Sequence, residues 1–205
     1  MKKLITAILL IMSFGSTYGQ SDDELPEKGL PEKDGKVFIE QVVILKDSTT
    51  KKERIFLVVK DWVSKTFRSS KGVIDYEDKQ EGKIVCKGNT KNSFNSTLGS
   101  RDEIKVDFTM DFTIKDGKFR LQLYNLQPIL NNYSFMGSSN QFLTDMKIEI
   151  DGMNNKYNSK TEKNKRERKY NGKQIVKIAS MIKPIFDDAI DYITKNSIIN
   201  KSNDF

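Results

Sequence analysis

Between Ile104 and Leu123 the chain alternates apolar and polar residues, a strict period of two that suits a strand and no helix. Ile104, Val106, Phe108, Met110, Phe112 and Ile114 fall on one side, and Lys105, Asp107, Thr109, Asp111, Thr113 and Lys115 on the other. Asp116 and Gly117 supply a two-residue hairpin turn. Phe119, Leu121 and Leu123 then continue the apolar side, while Lys118, Arg120, Gln122 and Tyr124 continue the polar one. The segment predicts an antiparallel strand pair with one dry and one wet face.

The remaining elements are read around this pair. Val37 to Leu45 is a β-branched run that suits a first strand, covered on both faces or ending a sheet. Thr50 with Glu53 has capping-box spacing, and Ile55, Val58, Val59, Trp62, Val63 and Phe67 repeat at helical intervals. Ser69 to Gly72 is read as the stop, with Gly72 taking the left-handed turn. Val73 to Tyr76 and Lys83 to Lys87 form a hairpin through Glu77 to Gly82. A second amphipathic helix covers Gln174 to Lys195 after a break at Asn171 and Gly172, with Pro184 predicting a kink or two shorter helices. The expected fold is α+β, a curved antiparallel five-stranded sheet with two helices on one face, in the order β-α-β-β-β-β-α.

The runs GVIDYEDKQEGKIVCKG, from Gly72 to Gly88, and DFTMDFTIKDGKFRLQLYNL, from Asp107 to Leu126, resemble a family of secreted Gram-negative bacterial proteins. That family is described as a domain of unknown function with a TATA-binding-protein-like (TBP-like) fold. The similarity spans Phe38 to Pro128. It implies the fold, and it brings no established activity, substrate or catalytic residue to these positions.

Met1 to Gly19 has the layout of a secretory signal: Lys2 and Lys3, an apolar stretch from Leu4 to Met12, then small residues, with cleavage expected after Gly19. A membrane-spanning helix needs about 20 apolar residues, so no transmembrane segment is expected in the mature chain. No cysteine near the cut offers a site for lipid attachment, and the expected address is periplasmic or extracellular. Residues 20–36 read as a flexible lead-in and residues 37–129 with 173–195 as one TBP-like domain. Residues 130–172 read as an insertion carrying a basic loop, and residues 196–205 as a disordered tail.

With no histidine and a single cysteine, the chain lacks the commonest general base and the usual zinc ligands. Cys86, in phase with Ile84, reads as a core thiol and Trp62 as core packing. Asp75, Glu77 and Asp78 lack the ligand spacing of a calcium loop. No catalytic residue, metal or cofactor is expected.

The leading expectation is a non-catalytic binding module of the cell envelope. Its wet face would present Lys105, Asp107, Thr109, Asp111, Arg120, Gln122 and Tyr124 to an unidentified ligand or protein. One alternative is a carboxylate-dependent envelope enzyme using Asp107 and Asp111, whose Cα atoms would stand about 13 Å apart on one strand. DNA is not an expected partner, because acids interrupt the cations of this face and would oppose phosphate.

The formal charge of +7 is local in origin. Lys156, Lys160, Lys163, Lys165, Arg166, Arg168, Lys169 and Lys173 against Glu162 and Glu167 give a net +6. Such a block reads as a hydrated loop. The other alternative is peripheral docking on an anionic surface through Lys163, Lys165, Arg166, Arg168 and Lys169. Just before it, Met146, Ile148 and Ile150 alternate, with Asp151 and Gly152 reading as a turn, which suggests a short extra strand.

Overall fold

The computed structural model describes residues 25–67, 70–95, 101–134 and 141–197, so the expected signal peptide and residues 198–205 lie outside the described residues. A short hairpin, β1 (Glu32–Lys33) and β2 (Lys36–Val37), leads into β3 (Ile39–Ile44), α1 (Lys52–Thr66) and α2 (Ser70–Val73). Four strands follow: β4 (Ile74–Asp78), β5 (Lys83–Asn95), β6 (Arg101–Lys115) and β7 (Lys118–Ser134). β8 (Gln141–Lys147), α3 (Ile150–Ser159) and α4 (Lys165–Ser197) complete the described chain.

The main sheet is antiparallel and runs β3-β7-β6-β5-β4, with β8 also paired to β7. The α+β architecture matches the sequence expectation, with a sixth strand in the sheet and further helices. Ile104, Val106, Phe108, Met110, Phe112 and Ile114 all lie on the buried side, together with Ile84 and Cys86 of β5. Trp62 of α1 packs edge-on against Phe112, and Ile55, Val59, Ile178, Ile182 and Ile193 close the same core from α1 and α4. Each such side chain, fully buried, stabilises by about 1.5–3 kcal/mol relative to exposure. Burial also pushes the Cys86 thiol up to about 12, followed in effect by the nearby Asp111 charge.

The β6–β7 turn does more than reverse the chain. Gly117 adopts φ +67, and a Cβ there would lie 2.4 Å from the Ser48 carbonyl oxygen. The turn thus packs directly on the loop before α1, with the Gly117 N–H donating to the Thr50 carbonyl. Asp116 Oδ1 accepts from the Lys52 N–H at 2.8 Å. The expected Thr50–Glu53 box is not used, since Lys51 is the N-cap residue and makes no side-chain cap bond. Gly72 lies inside α2 instead of ending α1, whose last turn closes on Phe67.

A β-bulge divides β7. Asp107 faces Gln127 and Thr109 faces Tyr124, so β7 holds one more residue than β6 across this interval. Asn125 takes φ 53 to accommodate it. The extra residue inverts the side-chain phase: Phe119, Leu121 and Leu123 are buried before the bulge, Leu126 and Leu130 after it. Beyond β6, the outer edge of β7 is shared end to end, with β3 on residues 118–123 and β8 on residues 129–134.

Two segments differ from the sequence expectation. Residues 25–36 are part of the fold, because α3 presents Asn154 and Asn158 one turn apart. Asn154 Oδ1 accepts from the Leu30 N–H at 2.7 Å and its Nδ2 donates to the Leu30 carbonyl at 3.0 Å. Asn158 Oδ1 accepts from the Gly29 N–H, and the Tyr157 hydroxyl donates to the Pro26 carbonyl. Polar side chains thus do what a lead-in without apolar periodicity cannot do alone. The 130–172 insertion carries the end of β7, then β8, α3 and the start of α4, so most of its expected basic loop is helix instead.

α4 continues through Asn171, Gly172 and Pro184 as one helix, ending at Ser197. Gly172 marks a close approach, where a Cβ would lie 2.9 Å from both Leu25 Cδ1 and Tyr157 Cε2. Pro184 falls at an exposed position of α4, where the carbonyl its missing N–H leaves free can be hydrated.

Candidate functional site

β6 carries the polar face across the middle of the sheet, and its neighbours determine what each side chain meets. Lys105 Nζ bonds Asp107 at 2.9 Å, two residues along the same strand. Asp111, paired in register with Gln122 and Val85, takes Lys83 Nζ at 3.2 Å on Oδ2. Gln122 donates to Glu40 of β3, while Arg120 Nη2 reaches Thr113 Oγ1 at 3.3 Å. Lys87 pairs with Asp75 at 3.0 Å. The face is a lattice of opposite charges, and Asp107 and Asp111 are each held by a lysine.

Its centre is more deeply set than a solvated sheet predicts. Thr109 and Asp111 are each only 6 % exposed, beneath the longer side chains around them. Asp111 Oδ1 and Arg120 Nε have no hydrogen-bond partner, and both atoms are buried. They belong to diagonal neighbours, since Thr113 faces Arg120 and Asp111 faces Gln122. Tyr124 stacks on Phe38 with ring centroids 6.0 Å apart. Burial raises the Tyr124 hydroxyl above the ordinary tyrosine value, and the Asp111 charge acts in the same direction.

All seven predicted face residues therefore lie on one surface. Sequence reasoning missed Glu40, Lys83, Lys87 and Phe38, which complete it from other strands. Val37 to Leu45 read as a strand covered on both faces or ending a sheet; β3 ends the sheet path, and Val42 and Ile44 are 57 % and 70 % exposed beside Arg120 and Lys118. The alternation of Glu40, Val42 and Ile44 was the available signal. Tyr76 adds a further exposed ring at the β4 edge.

The basic residues occupy a different region, around the start of α4. Asn164 Oδ1 accepts from the Glu167 N–H at 2.9 Å, and Glu167 accepts from the Lys163 N–H. That backbone bond is the main reason the Glu167 carboxyl titrates below the ordinary range. The Asn164 to Glu167 spacing was a legible helix start. Arg168 turns inward: it bonds Glu162 at 3.2 Å and the Tyr157 carbonyl at 3.1 Å, with its guanidinium 4.2 Å from the Tyr157 ring centroid. Lys163, Lys165, Arg166 and Lys169 remain exposed. Lys160, Glu162, Asn164, Lys165 and Arg168 line an open cavity of about 380 Å³. Among the described residues no cluster of acids, cysteine or histidine could hold a metal ion, and no helix is long and apolar enough to cross a membrane.

Comparison with known proteins bears on the fold. A solved DUF4468 family protein from Bacteroides ovatus is similar with a TM-score of 0.55 at 18% identity, covering 78% of this chain and 90% of that one. A TBP-like protein from Parabacteroides distasonis is similar at 0.50 and 17%, covering 78% and 96% respectively. No curated protein matches. The family model of the domain of unknown function with TBP-like fold, DUF4468, matches residues 41–128, close to the Phe38 to Pro128 span of the sequence resemblance. Residues 41–128, with their bulged strand pair and the helix packed against it, are thus similar to the DUF4468 domain of unknown function, and the chain shares its TBP-like fold.

Proposed function

We propose that this chain is a non-catalytic binding module of the cell envelope, exported by its N-terminal signal, that takes a ligand or protein surface on the polar sheet face. One observation carries the reading. At the middle of that face a buried acceptor, Asp111 Oδ1, and a buried donor on its diagonal neighbour, Arg120 Nε, make no hydrogen bond, the nearest charge to Nε being Glu40 at 3.9 Å. An unsatisfied buried group costs about 1–3 kcal/mol, which folding alone gives no reason to retain. A partner that donates to one atom and accepts from the other, as a carboxamide or peptide bond does, offsets both costs once the surrounding long side chains move aside. The Phe38–Tyr124 stack and the exposed Val42 and Ile44 supply apolar contact area around that centre.

Two measurements test it together. Asp111→Thr, which keeps the strand's pattern, is expected to melt at or above the wild-type temperature while removing cross-links formed from a photoreactive residue at Gln122 in intact cells. The same photoreactive residue at Leu57, exposed on α1, is expected to give none of those products. A variant that loses stability, or identical cross-links from both positions, would show that Asp111 serves the fold and the face has no dedicated partner.

A further inference from the structure

The outer side of α4 carries a stripe of cations around two exposed apolar residues, with the Lys177 ammonium also resting 5.2 Å from the Phe94 ring centroid. At 3.6 residues per turn, Arg166, Lys169, Tyr170, Lys173, Val176 and Lys177 fall within an arc of about 120°. Asn171, Gln174, Ile175 and Ile178 are buried on the opposite side. Tyr170 and Val176 are 48 % and 43 % exposed among those cations. The first turn also sets Arg166 beside the positive end of the helix dipole, with Glu167 as its acidic residue. A helix shaped for stability alone places acids there, and departures of this kind are characteristic of working surfaces.

We infer that the N-terminal half of α4 docks side-on onto an anionic phospholipid bilayer. The cations lie over headgroup phosphates, and Tyr170 and Val176 enter the interfacial zone. The two apolar residues decide between lipid and a hydrated polyanion, which attracts the same charges but offers no apolar phase. The contact is polar in extent as well as direction. Further along the same stripe stand Asp187 and Asp191, paired to Lys183 and Lys195, so the C-terminal half is not drawn to the surface. The surface is separate from the polar sheet face and independent of it.

Co-sedimentation of the full chain with vesicles of phosphatidylcholine and phosphatidylglycerol tests this, with phosphatidylcholine vesicles reporting the background from the apolar N-terminus. Excess binding to the anionic vesicles is expected. Arg166→Gln with Lys169→Gln should weaken that excess about thirtyfold. Tyr170→Ser with Val176→Ser should weaken it several-fold while leaving retention on a polyanion resin unchanged. Circular dichroism of both variants should match the wild type. Absence of any excess on anionic vesicles overturns the inference. So does vesicle binding that the Tyr170 and Val176 changes leave untouched, which would assign the stripe to a hydrated polyanion.

Discussion

The carboxylate of Asp116 belongs to a hairpin turn, yet it caps a helix that starts 64 residues earlier in the chain. Its bond from the Lys52 N–H is the main reason its carboxyl titrates below the usual value near 3.8, with the Lys51 charge helping. A group lowered in the folded state contributes stability above its unfolded pKa, and that contribution disappears as the pH falls through the folded value. Asp116→Ala should therefore melt lower than the wild type at neutral pH, and the gap should close on acidification below about 3.8. Thermal melts across pH 2 to 7, on the order of that span being needed to cover an aspartate titration, check it; a gap independent of pH would show that the turn's geometry matters and the charge does not. The sequence offered Thr50 and Glu53 as the cap because spacing along the chain is visible there, whereas Asp116 becomes a neighbour only after β6 and β7 pair.

Glycines mark the same limit for elements. Gly172 and Gly152 both sit in helices, and from sequence alone each reads as a break or a turn. A Cβ at Gly152 would meet nothing within 4 Å, while one at Gly172 would press on Leu25 and the Tyr157 ring. Gly152→Ala should stabilise the protein by about 0.5–1 kcal/mol through helix propensity, and Gly172→Val should destabilise it by about 1–3 kcal/mol through overpacking. Urea denaturation separates the two, and equal effects would mean that α3 and α4 do not pack against residue 25. The alternation of β6 was fully legible because a strand's phase is local. On β7 it was legible only to Leu123, since the bulge at Asn125 inverts the phase with no sequence mark beyond an asparagine able to take φ 53. The polar face was foreseen for the same reason, strand by strand. Its orphaned donor and acceptor were not, because hydrogen-bond accounting needs the neighbours.

Across the whole molecule, the matched family segment and the folding unit do not coincide. Residues 41–128 hold most of the sheet and α1. The buried Ile175, Ile178, Ile182 and Ile193 that close the core over β5, β6 and β7 belong to α4, and Trp62 of α1 donates to Asp188 on that helix at 2.8 Å. Four isoleucines of this kind are worth on the order of 10 kcal/mol, comparable to the entire net stability of an ordinary domain. α4 is held in turn by α3, which holds residues 25–32 through Asn154, Tyr157 and Asn158. A fragment of residues 41–128 should therefore show no cooperative thermal transition and poorly dispersed amide resonances, with its apolar sheet face exposed to water. Residues 25–197 should melt in one step. Cooperative melting of the shorter fragment would locate the core within the family segment alone and reduce α3, α4 and the N-terminal hairpin to attachments.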